Sequence, residues 1–178
     1  MPPIPPGCDR AGLERLVEVS RRVRGWLDAL DATVAACATR LAAEDAAGLL
    51  RDGGRRAARE ADAVVRRGEV CELLPALHTA LADGVVSAGH ADAVGRVAAG
   101  LDETARATLC ELEDTLIAAA AEQSVEVFQR EMSTLADVLA GDDGVSRHER
   151  LRRQRCVKRW VDRHTGPVSH PPHLGSGG

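Results

Sequence analysis

The chain has 178 residues, 44% of them hydrophobic, which is sufficient for one globular domain with a buried core. Its apolar residues are mostly Ala, Leu and Val, with one Phe, two Trp and no Tyr, a composition that disfavours a β-sandwich and favours closely packed helices. The net charge of −4 is unevenly distributed, because residues 147–163 carry a net +6 and the remainder carries −10.

Residues 1–8 are rich in proline and are predicted to be disordered, without the basic and apolar regions of a secretion signal. No run of about eighteen apolar residues follows, so no membrane-spanning segment is predicted. The five cysteines stand singly, without a C-x-x-C pair, and indicate neither a zinc site nor a disulfide framework. We therefore expect a cytoplasmic protein without a metal or other cofactor.

A long N-terminal helix is predicted to begin after Asp9, a residue type that caps helices, and to run for about thirty residues towards Gly48. Gly25, beside Trp26, is expected to mark a bend. Large apolar residues recur at a spacing of three and four, interrupted at Ser20, and form a stripe of Leu13, Leu16, Val23, Leu27, Leu30, Val34, Cys37 and Leu41. This stripe packs on later helices of the same chain, the interpretation we favour, or it forms a dimerising coiled coil over Leu16–Leu41.

Local signals divide the middle of the chain into shorter helices. Gly53 and Gly54 predict a turn, and Pro75 predicts a break within one helical stretch, since an interior proline loses a hydrogen bond and clashes with the preceding turn. Gly84 is expected to end the second piece, and Ser87 to cap a short helix that reaches about residue 99.

Two further helices carry ordinary core stripes. One is capped by Asp102, with Leu109, Leu112, Leu116 and Ala119 on one face; the other follows Ser124, with Phe128, Met132, Leu135 and Leu139. No strand is predicted. The expected fold is all-α, a multi-helix bundle over residues 9–163 with a long N-terminal helix and a basic C-terminal helix.

The basic C-terminal helix is predicted to begin at Ser146, because Ser146 and Glu149 have the spacing of a capping box, and to end near Asp162. Its basic residues nearly encircle it and are candidates for contact with DNA phosphates: Arg147, Arg150, Arg152, Arg153, Arg155, Lys158, Arg159 and Arg163. Pairing of the same side chains with acidic faces of this protein is the open alternative. Residues 164–178 form a tail rich in Pro, Gly and His that is predicted to be disordered.

Two segments carry a resemblance to a known family. LPALHTALADGVVSAGHADAVGRV, residues 74–97, and QRCVKRWVDRHTG, residues 154–166, resemble the actinobacterial domain of unknown function 222 in order and separation. In that family the helical region often precedes an HNH endonuclease domain. The resemblance, which covers roughly residues 27–166, implies a nuclease-associated helical module.

The same resemblance implies that the nuclease itself is absent. The HNH site needs an asparagine that orients its loop, and this sequence contains no Asn. In the family more of the domain follows the stretch at Trp160–Gly166, whereas here the short ending PPHLGSGG replaces it, as expected for a truncated product. The protein is therefore predicted not to be an enzyme.

A second, shorter similarity also points to DNA. GVVSAGHADAV, residues 84–94, is similar to a segment of ParB-type centromere-binding proteins that lies within a DNA-binding helical region. In that segment Ser87 and His90 would hold the turn before a helix. From the residues alone, a structural role is also the favoured interpretation of His90, which stands three positions after the cap Ser87.

The remaining polar clusters favour no specific site. His164, His170 and His173 stand on the flexible tail, where nothing arranges them around a metal. Glu111, Glu113 and Asp114 point in different directions on a helix and are expected to form a solvated face.

Three interpretations of function remain open. The first is a non-catalytic, DNA-associated helical module, and the second is a protein-interaction bundle that forms a homodimer through Leu16–Leu41. The third is a truncated gene product without a function of its own.

Overall fold

The structure, a computed structural model, describes residues 9–41 and 45–140. These ranges contain eight α-helices and no strand: α1 (Arg10–Leu41), α2 (Ala46–Gly54), α3 (Ala58–Leu73), α4 (Pro75–Ala82), α5 (Ala88–Ala99), α6 (Glu103–Glu111), α7 (Glu113–Glu122) and α8 (Val125–Ala140). The prediction of an all-α bundle with a long N-terminal helix is confirmed.

Several helices begin where their capping residues predict. Asp9 Oδ1 accepts a hydrogen bond from the Gly12 amide at 2.8 Å, and Asp102 Oδ1 accepts one from the Ala105 amide at 2.8 Å. Pro75 occupies the first turn of α4, where its missing N–H has no helical partner to lose. The predicted division of this stretch at Pro75 is therefore confirmed.

The turn between α4 and α5 depends on Gly84, whose φ of +70° is a conformation that favours glycine. The turn lies directly against α1, where Arg21 Nη1 donates a hydrogen bond to the Gly84 carbonyl. A Cβ at Gly25 would collide with the Leu81 carbonyl oxygen and stand 2.8 Å from Gly84 Cα. Gly25 thus permits a close approach between α1 and this turn, and α1 continues without a break through the position where a bend is predicted.

Two predicted boundaries are wrong because tertiary contacts determine them. The first helix ends at Leu41, and Gly48 lies inside α2, a short helix whose Leu50 is buried against Val64. The helix capped by Asp102 is divided at Leu112, whose amide bonds to the Leu109 carbonyl three residues earlier. This tighter turn redirects α7 towards α4.

The core is built in layers around α3, α4 and α5. α1 packs on α3 and α4, α3 on α5, and α5 on α8, while α2 covers one end of α3. The larger of two apolar clusters includes the fully buried side chains Leu74, Leu77, Leu81, Leu109, Leu116, Phe128, Met132 and Leu135. The stripe predicted for α8 is therefore confirmed as core.

α1 contributes only small residues to this core: Gly25, Ala29, Ala32, Ala35, Ala36 and Ala38 are its buried positions. Opposite them, Gly68 of α3 lies so close that a Cβ there would stand 2.8 Å from the Ala32 carbonyl oxygen. The expectation that the leucine stripe of α1 packs on later helices of the chain is wrong for the helices described. Small side chains allow the backbones of α1 and α3 to approach more closely than leucines would.

Three predictions lie outside the described residues: disorder in residues 1–8, the basic helix from Ser146, and the tail from residue 164. Within the described ranges, no helix is both long enough and apolar enough to cross a lipid bilayer.

Candidate interaction surface

The side of α1 that faces away from the core carries a continuous row of large apolar side chains. We call this row the outward face, and it consists of Leu13, Leu16, Val19, Val23, Trp26, Leu27, Leu30, Val34, Cys37 and Leu41. The exposed fraction of its large hydrophobic side chains ranges from 44% at Val34 to 88% at Leu41. At about 1.5 Å per residue, the row extends for roughly 42 Å along the helix.

The exposure is concentrated on this one helix. Ten of the thirteen large hydrophobic side chains that are exposed in the described residues belong to α1; the others are Leu49, Val85 and Val127. Single exposed hydrophobic residues are normal on a protein surface, but a continuous apolar row is characteristic of a surface that binds a partner. The outward face is therefore the strongest candidate site in the part of the chain that the structure describes.

The heptad spacing of the outward face continues from Leu16 to Leu41, with Ser20 at the one seam position that the outward face lacks. Positions 16, 20, 23, 27, 30, 34, 37 and 41 alternate steps of four and three residues, which places them along one seam of the helix. Ser20 is the single strongly polar member. The buried residues of α1 lie on the opposite side, because Ala29 and Ala32 stand two residues on from Leu27 and Leu30, about 200° around the helix.

Charged residues flank one edge of the seam. Asp31 Oδ2 accepts a hydrogen bond from Arg56 Nη2 at 2.6 Å, and Asp31 remains partly exposed. Arg24, seven residues earlier on the same edge, makes no ion pair with any residue in the described ranges. The edge therefore presents one unpaired cation and one carboxylate with an oxygen still available.

An open cavity of about 750 Å³ lies beside the N-terminal half of α1. The wall from α1 is apolar at Leu13, Leu16 and Val17 and polar further along the helix, at Arg21, Arg24 and Asp28; the turn between α4 and α5, the start of α5 and the end of α7 form the other walls. Gln123 also borders the cavity, and its Oε1 atom is buried without a hydrogen-bond partner among the described residues. The apolar wall continues the outward face around the side of the helix.

A buried ion-pair network fixes α1 in place from behind. Arg67 of α3 is 7% exposed and donates two hydrogen bonds to the Asp92 carboxylate of α5, at 2.9 and 3.0 Å. Arg67 Nη1 also lies 3.7 Å from Oδ1 of Asp28 on α1. Burial raises the pKa of Asp28 above its usual value, and the nearby Arg67 guanidinium opposes that rise. The network joins three helices and orients the outward face away from the core.

Cys71 adjoins this network within the core. Burial raises the pKa of its thiol to about 11, so the thiol is protonated and unreactive at neutral pH. Cys37, by contrast, is exposed on the outward face.

His90 has the structural role that the sequence favours. Its Nδ1 accepts a hydrogen bond from the Ser87 amide at 3.2 Å, and its Nε2 lies 3.2 Å from the Gln123 carbonyl oxygen. Its ring also packs edge-on against Phe128 at 5.3 Å. Burial lowers the pKa of His90, which keeps the ring neutral. The hydrogen bonds and the ring contact together join α5 to the end of α7 and to α8.

The acidic cluster at the start of α7 is only partly solvated. Glu113 Oε1 accepts a hydrogen bond from the Leu77 amide at 2.9 Å, which occupies one of the free N–H groups at the start of α4. Glu111 and Asp114 are exposed, as expected. The prediction of a solvated face is therefore wrong for Glu113, whose contact joins two helices that are far apart in sequence.

The basic side chains proposed from the sequence to contact DNA all lie outside the described ranges, as do His164, His170 and His173. Within residues 9–41 and 45–140, no group of three or more His, Cys, Asp or Glu side chains is arranged to hold a metal ion.

Sequence reasoning missed the small residues through which α1 packs on the core. Gly25, Ala29, Ala32 and Ala36 follow the same spacing of four and three as the leucines, on the opposite side of the helix. This second stripe could have been found by its spacing, because small residues at regular intervals allow helix backbones to approach closely. It was overlooked because alanine contributes less apolar surface than leucine.

Comparisons with protein-family models, curated proteins and solved structures find no match to this chain. The resemblance to the domain of unknown function 222 therefore stays a prediction from the two sequence segments.

Proposed function

We propose that this chain is a helical interaction module that forms a homodimer through the outward face of α1. The observation that carries the proposal is the continuous exposure of that face from Leu13 to Leu41 at heptad spacing. Because the small-residue side of α1 occupies the core, the outward face stays exposed among the described helices and can receive a partner.

A second copy of the chain is the occupant that the spacing favours. A seam that repeats every seven residues, with steps of four and three, is the pattern by which two helices of the same sequence interlock side chains. Specific interfaces bury roughly 800 Å² per partner, and a row about 42 Å long with Leu, Val and Trp side chains is of the size that such an interface needs.

The test is sedimentation analysis of the full chain over a wide range of protein concentration. The wild-type chain is expected to sediment as a dimer. The single variants Leu27→Lys and Leu30→Glu, made in separate chains, are each expected to dissociate it, since each places charges within the seam. Both side chains are about half exposed, at 47% and 45%, so these substitutions leave the core of each copy intact.

Leu49→Lys is the matched control. Leu49 is 52% exposed on α2 and is not part of the outward face, and the same change of leucine to lysine there is expected to leave the dimer unchanged. A wild-type chain that remains monomeric at high concentration, or a dimer that Leu27→Lys and Leu30→Glu do not weaken, would contradict the proposal.

As a second candidate, we propose that the module associates with DNA through the basic segment at residues 147–163. The net +6 of that segment supports this function, as does its resemblance to a nuclease-associated family. Binding to duplex DNA should then weaken steeply with salt, with a log–log slope of about −0.9 per phosphate neutralised, and carry little sequence preference.

Charge reversal of Arg152, Arg153 and Arg155 is expected to abolish this binding. Reversal of Arg55, Arg59 and Arg96, three exposed arginines of the helical body, is the control and should have a much smaller effect. Binding that is insensitive to salt, or no binding at low salt, would exclude this second function.

A further inference from the structure

We infer that the two copies associate in antiparallel orientation, with α1 of one copy against α1 of the second, so that Arg24 of each copy faces Asp31 of the second copy. This inference rests on the proposed dimer and assigns its register and its specificity-determining charges. The two-fold axis lies between Leu27 and Leu30 in this arrangement.

The seam is self-complementary when the helices run in opposite directions. Leu27 faces Leu30 of the second copy, and Val23 faces its Val34. Towards the ends, Ser20 faces Cys37 and Leu16 faces Leu41. All eight seam positions from 16 to 41 are thereby covered, and the two smallest side chains, Ser and Cys, share a layer.

The flanking charges favour this direction over a parallel one. Arg24 and Asp31 stand seven residues apart on the same edge of the seam. In an antiparallel pair this edge of one copy faces the same edge of the second copy, with the residues in the opposite order. Two identical ion pairs result, one on each side of the axis. In a parallel pair Arg24 would face Val19 and Asp31 would face Trp26, and neither charge would find a partner.

Both charged groups are available for this contact in the single copy. Arg24 makes no ion pair with any residue that the structure describes. Asp31 uses Oδ2 for its bond to Arg56, and Oδ1 accepts no hydrogen bond from the described residues. A carboxylate can accept from two guanidinium groups, so Asp31 can keep Arg56 while it receives Arg24 of the second copy.

The two ends of α1 also complement each other. Leu41, the last residue of the helix, is 88% exposed, whereas at the other end the apolar side chains of Leu13, Leu16 and Val17 border the cavity. Antiparallel packing brings Leu41 of each copy to this apolar end of the second copy.

Disulfide trapping tests the direction. In a background where Cys8, Cys110 and Cys156 are replaced by Ser, Cys37 remains exposed and Cys71 stays protected in the core. Three chains are compared under mild oxidation. The first is the background itself, whose seam has a cysteine only at position 37, and the second carries Ser20→Cys and Cys37→Ser, which leaves one only at position 20. The third carries Ser20→Cys and keeps Cys37, so it has a cysteine at both positions. Facing seam residues come close enough for a disulfide, which requires Cα atoms about 4.4–6.8 Å apart.

An antiparallel dimer cross-links only in the third chain, through disulfides that peptide mapping assigns to positions 20 and 37. Cross-linking of the first and second chains through identical positions would overturn the inference and show a parallel dimer. A sedimenting dimer that cross-links in none of the three chains would also overturn it. A chain that sediments as a monomer would instead show that the proposed dimer itself fails, so the two failures are distinguishable.

Charge reversal gives an independent measurement. Arg24→Glu replaces two attractions across the dimer by two repulsions and is expected to raise the dissociation constant by roughly tenfold. Arg96→Glu makes the same change on α5, outside the outward face, and is expected to leave the constant unchanged. Equal effects of the two substitutions would contradict the assigned pairing.

Discussion

The two sides of α1 show how side-chain size decides which surface a helix buries. The side with Gly25, Ala29 and Ala32 lies against the core, and the side with Leu27 and Leu30 remains exposed. Both follow the same helical spacing, but only small residues allow α1 to approach Gly68 and the Gly84 turn closely. The difference shows that an apolar stripe need not face the chain's own core: the stripe of larger side chains stays exposed among the described residues.

The largest effect is expected from removing the charge of Arg67, which holds the core-facing side of α1 through Asp28. Arg67→Ala leaves the half-buried carboxylates of Asp28 and Asp92 without their cation, which should lower the free energy of unfolding by about 3 kcal/mol. Urea denaturation on a Leu27→Lys background measures this without a contribution from dimerisation. Arg10→Ala, in the exposed pair with Glu14, is the control and should change stability by less than about 0.5 kcal/mol.

A glycine pair tests the close approach of the inner side. Gly25→Ala forces a Cβ against the Leu81 carbonyl and should lower the free energy of unfolding by about 2 kcal/mol. Gly53→Ala, in α2, meets nothing within 4 Å and should raise stability by about 0.5–1 kcal/mol through its better helix propensity. Thermal and urea unfolding of both variants check the opposite signs; a shared sign would refute the packing argument.

The dependence of stability on protein concentration tests the outward face. If the outward face binds a second copy, raising the protein concentration to tenfold above the dissociation constant should stabilise the chain by about 1.4 kcal/mol. The midpoint of thermal unfolding should then rise by about 3 °C. Leu27→Lys is expected to abolish this dependence and Leu49→Lys to preserve it. A midpoint independent of concentration in the wild-type chain would indicate that no partner copy binds.

The smallest effect concerns pH. Because burial raises the folded-state pKa of Asp28, its contribution to stability is fully present below the unfolded pKa, near 3.8, and is lost as pH rises through the folded pKa. Relative to the Asp28→Asn variant, the wild-type chain should therefore lose stability from about pH 4 upward. Urea denaturation at a series of pH values measures the difference, and a difference that grows as pH falls would contradict it.

Local chemistry made much of the fold predictable. Asp9, Ser87 and Asp102 begin helices through hydrogen bonds within a single turn, and Pro75 and Gly84 act through their own backbone geometry. Such features depend on neighbours close in sequence, which is why they can be predicted without the tertiary structure.

The candidate site was only partly predictable. The heptad stripe and a possible dimer were apparent from the spacing of the leucines, but the favoured interpretation placed that stripe in the core. The break at Leu112 was not predicted either, because it depends on packing of α7 against α4 and on the contact between Glu113 and Leu77.

The sequence by itself determined an all-α chain, most of its helix starts and a long first helix with a regular apolar seam. Only the tertiary structure decided which side of that helix is buried. The physical reason is that a helix with two apolar sides satisfies the same spacing rule on both, and the choice depends on the shape of the surface it meets. The surface formed by Gly68 and the Gly84 turn fits small side chains such as alanine, so the leucines of α1 remain exposed among the described residues.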